Sequence, residues 1–242
     1  MKCATINIRS GKETDEGERL YQLIKEISRG KLDIVGFQEV RYLGKGNHVI
    51  NLPNGDSYKL YYSGEMENRS NGVGIVVKND ARIECDEPDF NSSRVIASNM
   101  KIANVPIRVI SCYAPTEVTV DTEKKELFYS DLEKAIKMKE KGYEILILSD
   151  MNATTEVTKS RTYFGKQGTI VSPHENTNDN GLRLESFAVT NNLCLSSTFF
   201  EHEKEDRFTW FSNDGKTKKI LDHILASQTL QKQMIDCKVR KT

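Results

Sequence analysis

Short runs of apolar residues recur from one end of the chain to the other, separated by polar stretches. Their length and their content of β-branched and aromatic residues are typical of strands. The runs interpreted as strands are ATINI, LDIVGF, YKLYYS, GVGIVV, RVIAS, IRVISCYA, YEILILS, LCLSS, RFTWF and ILDHILA. Several of them are uniformly apolar, which indicates burial on both faces of a sheet.

Three segments have the apolar spacing of amphipathic helices instead. The apolar faces of the first two consist of Leu20, Leu23, Ile24 and Ile27, and of Phe128, Leu132, Ala135 and Ile136. The third segment, NGLRLESFAVTNN, carries Leu182, Phe187 and Val189. Many strands with a few helices predict two packed sheets covered by helices, an α+β sandwich. Because no Pro-, Gly- or Ser-rich linker divides the chain, residues 1–242 are expected to form one domain.

Composition narrows the class of protein. Hydrophobic residues make up 37% of the chain, which is enough for a sizeable core. No apolar run approaches the roughly 20 residues that span a bilayer. The cysteines are scattered and form no CxxC pair, which favours reduced thiols over a disulfide framework or a zinc site. These features predict a soluble protein of the nucleus or cytoplasm, with no membrane partner.

Charge adds a local feature to this picture. The formal net charge is zero, so overall charge gives no reason to name nucleic acid as the partner. Basic residues nevertheless cluster around RFTWFSNDGKTKK and near the end of the chain: Lys204, Arg207, Lys216, Lys218 and Lys219, then Lys238, Arg240 and Lys241. On charge alone these are a solvated loop and a solvated tail. Residues 153–179 form a long polar segment, which is typical of a functional or a mobile loop.

Polar side chains occur where predicted strands end. Asn7 lies inside the first strand, Glu39 follows a buried run, Tyr113 ends another, and Asp150 with Asn152 ends a third. Catalytic residues favour such positions, because the strand fixes the backbone and the loop opens to substrate. Each position also has a structural explanation, since Asp and Asn form turns and Tyr caps cores.

The pair Asp150 and Asn152 is more specific. Strand residues two apart point to the same face, so a carboxylate and a carboxamide would meet at one spot. That combination can hold a water molecule or a phosphate oxygen. Glu39 is a carboxylate that burial disfavours unless a cation lies near it. Oxygen ligands of this kind favour Mg²⁺, with Mn²⁺ as the alternative, over zinc.

The ordered motifs resemble a known family. Asn7, FQEV, NGVGI, YAPT, the D-x-N of SDMNA, FTW and ILDHILAS occur in the order seen in the endonuclease/exonuclease/phosphatase superfamily, from about Ala4 onwards. The segments NIRSG, NDNGLRLESFAVTNNLCLSSTFF and FTWFSNDG are most similar to apurinic-type endonuclease domains of RTE-like non-LTR retrotransposons, and to host proteins derived from them. The resemblance implies a DNase I-like fold, a four-layer α/β/β/α sandwich of two mixed sheets.

The resemblance also implies roles for particular residues. Glu39 would be the principal metal ligand, with Asn7 beside it. Asp150 would orient and deprotonate the attacking water, Asn152 would hold that water or the phosphate, and Tyr113 would contact the scissile phosphate. Asp222 would be the carboxylate that orients a catalytic histidine. The implied reaction is Mg²⁺-assisted in-line attack on a phosphodiester of duplex DNA, leaving a 3′ hydroxyl, with Arg207, Lys216, Lys218 and Lys219 contacting the nucleic acid.

The chain departs from the family pattern at two places. The usual Gly-Asp-Phe-Asn is Ser149-Asp150-Met151-Asn152, a change that keeps residue size. The terminal Ser-Asp-His strand of the family has no counterpart before Thr242. The fold is therefore expected to lack its last core strand, leaving an unpaired sheet edge that a protein partner or a second copy could fill.

His223 is expected not to replace the absent histidine. Successive strand residues face opposite sides, so His223 points away if Asp222 faces the site. His48, His174 and His202 lie in polar loops and have no better claim. Three functions stay open at this point: a metal-dependent endonuclease, a catalytically impaired module that binds nucleic acid or protein, and a phosphodiesterase or phosphatase for lipids or nucleotides.

Overall fold

The structure is a computed structural model, and it describes residues 1–9, 16–118, 122–156, 174 and 176–240. Most of the long polar segment expected between residues 153 and 179 lies outside the described residues, as does Lys241 of the basic chain end.

The described chain contains fourteen strands and four helices. The strands are β1 (Cys3–Asn7), β2 (Ile34–Gln38), β3 (Lys45–Asn51), β4 (Ser57–Ser63), β5 (Val73–Lys78), β6 (Ile83–Cys85), β7 (Asp89–Ser92), β8 (Val95–Ile102), β9 (Val105–Tyr113), β10 (Glu144–Asp150), β11 (Leu193–Leu195), β12 (Trp210–Phe211), β13 (Lys218–Lys219) and β14 (Asp222–Ser227). The helices are α1 (Glu16–Arg29), α2 (Thr122–Lys137), α3 (Asp179–Thr190) and α4 (Gln228–Gln231), with two short 3₁₀ helices at Ser196–Phe199 and Lys204–Asp206.

Two mixed sheets form the centre of the fold. The first has the order β1-β2-β5-β4-β3, in which only β1 and β2 are parallel. The second has the order β11-β14-β10-β9-β8-β6, with β7 also paired to β8, and only β9 and β10 are parallel. Strands β12 and β13 form a separate hairpin.

Three apolar clusters hold the layers together. One packs α1 on the outer face of the first sheet, through residues such as Ile24 and Phe37. A second lies between the two sheets, and a third packs α2 and α3 on the second sheet, through residues such as Phe128 and Leu184. The order helix, sheet, sheet, helix confirms the predicted four-layer α/β/β/α sandwich.

The two sheets approach closely at Gly36 and Gln38 of β2. A Cβ atom on Gly36 would lie 2.6 Å from Leu148 Cβ of the opposite sheet, so only glycine allows this spacing. The fully buried Gln38 amide donates to Ser111 Oγ (3.3 Å) and to the Leu148 carbonyl (3.2 Å). Its own oxygen accepts from Thr5 Oγ1 at 3.0 Å. This polar bridge fixes the end of β2 against the second sheet.

Helix α3 forms where the sequence predicted it but buries a different face. Leu182 and Val189 are 55% and 52% exposed, whereas Leu184, Phe187 and Ala188 are buried. Phe187 is therefore the one predicted face residue that faces the core. The prediction was wrong because both Leu182 and Leu184 fit a helical stripe, and only tertiary packing decides between them. Strands β3, β6, β7 and β13 were not predicted, since they are short or mostly polar.

Strand β1 lies at an edge of the first sheet. It pairs with β2 on one side, and no other described strand pairs with it on the other. All five of its residues are half-buried, although every residue of its neighbour β2 is buried. This edge thus has no strand partner in the described ranges, along a strand that still contributes Ala4 and Ile6 to the core.

All five cysteines are free thiols. Within the described ranges, no helix is both long and apolar enough to cross a bilayer.

Candidate active site

The ends of five strands meet at one place between the sheets. The parallel strands β1 and β2 end at Asn7 and Gln38, and Glu39 follows directly. On the second sheet, the parallel strands β9 and β10 end at Tyr113 and Asp150, and the antiparallel β14 begins at Asp222. Parallel strands end at the same sheet edge, so each sheet carries its side chains to one edge, and the packing of the two sheets brings the two groups together.

The Asn7 amide joins the two sheets at this point. Its Nδ2 atom donates to Glu39 Oε1 at 2.9 Å and to Asp150 Oδ2 at 2.8 Å. Its Oδ1 accepts from the backbone N–H of Arg9 at 3.1 Å, which fixes the orientation of the amide. One carboxamide therefore holds a carboxylate of each sheet.

Tyr113, Asp150 and Asp222 form one row across the second sheet. Asp150 is the register partner of Tyr113 on β9 and of Asp222 on β14. Directly opposite residues of neighbouring strands share a face, so the row points toward Glu39. The Tyr113 hydroxyl donates to Glu39 Oε1 at 3.3 Å, which closes the group.

The carboxyl groups of this site differ in electrostatics. Burial raises the pKa of Asp150, and the charge of Glu39 adds to the rise, against hydrogen bonds from Asn7 and Asn152. Burial and the charge of Asp150 likewise raise the pKa of Asp222. For Glu39, burial acts in the same direction, but hydrogen bonds from Asn7 and Arg41 outweigh it and hold the pKa below its ordinary value. Like charges directly opposite in a sheet are unfavourable, so the site favours a proton or a cation.

Asn152 lies at the site, but it does so from the loop after β10 and not as a strand residue that shares a face with Asp150. Strand β10 ends at Asp150, and Asn152 adopts a left-handed backbone with φ 48°. Its backbone N–H donates to Asp150 Oδ1 at 3.0 Å, and its Nδ2 donates to the Ala114 carbonyl at 3.0 Å. The expected pairing of two strand side chains on one face is therefore wrong. Asn152 instead orients the Asp150 carboxylate through its backbone.

Sequence reasoning missed two arginines at the site. Arg41 Nη2 donates to Glu39 Oε2 at 2.7 Å. Arg94 lies with its guanidinium 5.3 Å from the Tyr113 ring centroid, donates to the Tyr113 carbonyl at 3.1 Å, and donates to Asn71 Oδ1 at 2.9 Å. The NGVGI motif, which contains Asn71, signalled this region without indicating the contact.

Thr209 of the FTW motif is the third missed residue. Its Oγ1 accepts from the backbone N–H groups of Leu221 (3.0 Å) and Asp222 (3.2 Å). A hydrogen bond from Thr209 also acts to lower the pKa of the Asp222 carboxyl, against burial. Thr209 thereby fixes the start of β14 beside the site.

Several site residues have strained backbones. Glu39, Arg41, Asn152 and Arg9 have φ values of 55°, 58°, 48° and 40°. Residues other than glycine rarely adopt this left-handed region of backbone conformation. Those that do are often found at functional sites. The strain supports the assignment of this region as a functional site.

His223 faces away from the site, as predicted. It is 4% exposed, and its Nε2 atom lies 2.9 Å from the Ala153 carbonyl on the far side of β14. Its Nδ1 atom is buried without a hydrogen-bond partner. His174 accepts from the Ile220 N–H and His202 pairs with Asp236.

Burial of neutral His223 is expected to make stability depend on pH. Burial lowers the pKa of His223 to about 4, so in acid the unfolded chain takes up this proton first. Protonation between about pH 6.5 and pH 4 therefore favours unfolding, and stability falls by up to about 3 kcal/mol as pH drops through this window. Urea unfolding at pH 7, 5.5 and 4.5 should show a smaller fall for His223→Gln. An equal fall in the wild-type protein and in His223→Gln would contradict a role for His223. His48→Gln, which changes an exposed histidine, is the control and should show the wild-type fall.

The basic segment forms the β12–β13 hairpin, which leads directly into β14. Lys218 Nζ forms an ion pair with Glu205 at 2.6 Å, and Lys216 is exposed. Arg207 is half-buried at the base of the hairpin, where it lines a small pocket together with His174 and His223. The structure thus places Lys216, Lys218 and Lys219 on the hairpin near Asp222, and Arg207 behind it.

The donor set fits a hard divalent cation with few protein ligands. No described group of three or more His, Cys, Asp or Glu side chains forms a ready metal cage. Glu39 offers carboxylate oxygens beside the buried, like-charged Asp150, and Asn7 holds both carboxylates through its Nδ2 while its Oδ1 accepts from the Arg9 N–H. Mg²⁺ is commonly held by one or two carboxylates, with water and substrate phosphate completing its shell. The residues present therefore fit Mg²⁺ or Mn²⁺ better than zinc.

Known proteins share this sequence pattern and fold. Craniofacial development protein 2 of Bos taurus is 27% identical over 216 residues, which cover 89% of this chain and 35% of that protein. The chain therefore spans about a third of the length of this curated relative. The fold is shared by the Xenopus laevis APE2 catalytic domain, with a TM-score of 0.63 and 15% identity over 96% of this chain and 84% of that one. It is also shared by the endonuclease domain of TRAS1, a telomere-specific non-LTR retrotransposon, with a TM-score of 0.58 and 13% identity over 95% of this chain and 86% of that one.

The family model covers nearly the whole chain. The model of the Endonuclease/Exonuclease/phosphatase family matches residues 4–234. Its members are hydrolases that act on phosphodiester bonds. The sequence motifs, the two-sheet sandwich and this match agree, and the chain therefore belongs to the Endonuclease/Exonuclease/phosphatase family.

Proposed function

We propose that the protein is a divalent-metal-dependent phosphodiesterase, an endonuclease that nicks duplex DNA by in-line attack of water. The observation that carries the proposal is the Asn7 amide, which holds Glu39 and Asp150 together from opposite sheets. Tyr113 and Asp222 lie in the same row as Asp150, so one phosphate group could meet all of these side chains. The endonuclease domain of TRAS1 shares the fold and supports the choice of a nucleic-acid substrate.

Asp150 would serve as the general base. Both of its oxygens accept hydrogen bonds, from Asn7 and from the Asn152 N–H, so the carboxylate is fixed in orientation. Its raised pKa lies closer to neutral pH than that of an ordinary aspartate, which makes the carboxylate a stronger base for proton abstraction from water. The proton of the attacking water would pass to Asp150, and the oxygen would bond to phosphorus as the bond to the leaving 3′ oxygen breaks. The leaving 3′ oxygen would take a proton from solvent water and become the 3′ hydroxyl.

Tyr113 and Asp222 would act on the phosphate side. Burial and the charges of Glu39 and Asp150 raise the pKa of Tyr113, so its hydroxyl keeps its proton and can donate to a phosphate oxygen. Its present bond to Glu39 Oε1 is long at 3.3 Å and is easily exchanged. Asp222, whose pKa burial raises, would keep the role that the resemblance implies, that of the carboxylate that orients a catalytic histidine.

Glu39 would hold the metal ion, with Asn7 beside it. To bind the ion, Asn7 would have to turn its Oδ1, which now accepts from the Arg9 N–H, toward Glu39. A bound Mg²⁺, or Mn²⁺ in its place, would supply positive charge that neutralises the charge developing on the phosphate. The low pKa of Glu39 keeps its carboxylate ionised and available as a ligand.

The direct test is nicking of supercoiled plasmid. Relaxed circles should form with Mg²⁺ and not with EDTA, and the nicks should carry 3′ hydroxyls that a polymerase extends without end processing. Absence of nicking with Mg²⁺ and Mn²⁺ alike would refute the endonuclease. If the protein instead hydrolyses a phosphoinositide or a nucleotide in the same buffer, that compound and not DNA is its substrate.

A second function has one specific observation in its favour. His223 and His202 contact the Ala153 carbonyl and Asp236, so neither takes the place of the histidine that the resemblance implies beside Asp222. General acid and electrostatic groups of this kind contribute about 10²- to 10⁴-fold in rate. A non-catalytic module that binds nucleic acid through the same surface would show metal-stimulated DNA binding and no nicking.

The β12–β13 hairpin is the proposed DNA contact. Lys216, Lys218 and Lys219 project from a hairpin whose base, Thr209, bonds the backbone of Asp222. DNA held at the site would therefore pass this hairpin, and phosphate contacts would give affinity without sequence specificity. Arg207 would stabilise the base of the hairpin.

Neutralising the hairpin is expected to weaken duplex binding and its salt dependence. The double variant Lys216→Gln/Lys219→Gln should reduce the magnitude of the slope of log K against log salt concentration by about 2. Each phosphate contact that is lost means that about one counterion fewer is released on binding. Lys218→Gln should have less effect, because Glu205 already neutralises Lys218. Fluorescence anisotropy at several salt concentrations measures the slope. Lys137→Gln on α2 is the control, and an unchanged slope in the double variant would contradict the hairpin contact.

The free edge of β1 is the proposed protein-binding surface. Its outward N–H and C=O groups have no strand partner among the described residues, which makes it a template for strand addition. We propose that an extended segment pairs there, from a second copy or another protein. The backbone groups of Lys2 and Ile8 bond toward β2, so alternation along the strand turns the N–H groups of Cys3 and Thr5 toward the free edge. Amide exchange of Cys3 and Thr5 should slow when such a segment binds. A bound partner that leaves these amides unprotected would place the interface elsewhere.

A further inference from the structure

Arg41 occupies an unusual position beside the proposed metal ligand. Its Nη2 atom lies 2.7 Å from Glu39 Oε2, and its side chain is 36% exposed. Its Nε–H is buried and has no acceptor within the described structure. Its backbone has a φ of 58°, in the left-handed region. A buried donor without an acceptor and a strained backbone are both unfavourable. The Nε–H of Arg41 is thus a donor that a further acceptor could satisfy.

The two oxygens of Glu39 are not equivalent. Oε1 accepts hydrogen bonds from Asn7 Nδ2 and from the Tyr113 hydroxyl. Oε2 accepts from the Arg41 guanidinium. A cation that binds Glu39 through Oε2 would lie directly beside the positive charge of the Arg41 guanidinium. The two positive charges would repel one another there, so binding of the cation would favour movement of Arg41 to another acceptor.

A guanidinium released at this place has a suitable new partner. Its planar fork of N–H donors matches two oxygens of a phosphate. The backbone N–H of Arg41 is fixed by the Asn71 carbonyl at 2.9 Å, so the side chain can move while its Cα stays beside the site. The neighbouring Arg94 is committed to Tyr113 and Asn71, which leaves Arg41 as the arginine that could exchange partners.

We propose that Arg41 is a switch residue that pairs with Glu39 when no metal ion is bound and transfers to the substrate phosphate when a divalent cation takes Glu39 Oε2. The proposal rests on the proposed function, because it assumes that Glu39 holds the metal. In the metal-free protein, Arg41 neutralises Glu39 and keeps the carboxylate in place. With metal bound, the same guanidinium adds positive charge where phosphate binds. Metal and substrate would then bind with positive cooperativity.

Metal titration without DNA tests the first half of the switch. Mn²⁺ binding is measured by isothermal titration calorimetry for the wild-type protein and its variants. Arg41→Ala removes the competitor and should tighten Mn²⁺ binding on the order of tenfold, within the usual range of coupling between sites. Arg41→Lys keeps a cation beside Glu39 and should stay near the wild-type affinity, which also guards against misfolding of the alanine variant.

Arg9→Ala is the matched control for loss of charge. The positive charge of Arg9 acts to lower the pKa of Asp150 and of Asp222, so Arg9 lies near the site without contacting Glu39 in the way that Arg41 does. Its removal should tighten Mn²⁺ binding much less than Arg41→Ala does. Equal tightening by both variants would reduce the effect to general electrostatics and overturn the switch.

Duplex binding tests the second half. In an Asp150→Asn background, which blocks hydrolysis, the Kd of a duplex oligonucleotide is measured with and without Mn²⁺. The metal should tighten binding several-fold when Arg41 is present. This ratio should fall toward one in the Asp150→Asn/Arg41→Ala double variant. An undiminished ratio would overturn the transfer to phosphate.

Failure of the switch and failure of the function have different signatures. If wild-type protein binds no Mn²⁺, or binds it equally well as Glu39→Gln, then Glu39 is not a metal ligand and the proposed function fails with the switch. If Glu39→Gln abolishes Mn²⁺ binding but Arg41→Ala leaves it unchanged or weaker, the metal site stands and the switch alone is wrong.

Discussion

Replacing Asp150 by Asn is expected to lower the rate of metal-dependent nicking by about 10²- to 10⁴-fold, the range for loss of a general base. Asn keeps the size of the side chain and can still accept from the Asn152 N–H, which now bonds Asp150 Oδ1. It cannot take the proton of the attacking water. The measurement is the initial rate of conversion of supercoiled to relaxed plasmid at saturating Mg²⁺.

The outcome for Asp150→Asn has a clear control. Asp131→Asn changes an aspartate of α2 that pairs with Lys134, outside the site. It should leave the nicking rate within about twofold of wild type, as expected of a surface change. The assignment of Asp150 as the base would not survive a rate close to wild type in Asp150→Asn at saturating Mg²⁺. The metal concentration for half-maximal rate should change little.

Replacing Glu39 by Gln is expected to reduce nicking by about 10²- to 10³-fold and, unlike Asp150→Asn, to raise the metal requirement. The neutral amide removes the charge that would attract the cation. It also leaves Arg41 without the carboxylate that its Nη2 contacts at 2.7 Å. Nicking rates over a range of Mn²⁺ concentrations separate the two effects, because a lost ligand shifts the midpoint of the curve.

The contrast between the two variants is itself informative. A lost base lowers the plateau of the metal titration, whereas a lost ligand moves its midpoint. Glu65→Gln is the matched control, since Glu65 is a nearby glutamate that accepts a hydrogen bond from Asn71. An unchanged midpoint in Glu39→Gln would assign the metal to other residues.

Local patterns predicted the fold well for physical reasons. Strands buried on both faces, such as β5 and β10, require uninterrupted apolar runs, and such runs are visible in the sequence. Helix α1 has one apolar face against one sheet, and its spacing is equally visible. Strand β3 was missed because most of its residues are exposed and polar, so its pairing with β4 leaves no apolar signal.

The candidate site was predictable only where residues end strands. Asn7, Tyr113 and Asp150 all follow apolar runs, and strand ends are recognisable along the chain. Arg41 and Arg94 were not, because an arginine beside a strand is usually solvated. Their roles come from contacts between segments far apart in sequence, such as Arg94 with Asn71. Asn152 was found through a strand rule that the structure does not obey, since the chain leaves the strand at Asp150.

Strand β1 carries both the open sheet edge and Asn7. A segment that paired with the edge would restrict the small movements of β1, and Asn7 is the residue of β1 that bonds Glu39 and Asp150. The edge would therefore be an allosteric control point for the site, although its backbone groups face away from the substrate. Thermodynamic linkage requires the converse: DNA bound at the site would change the affinity of the pairing segment by the same factor.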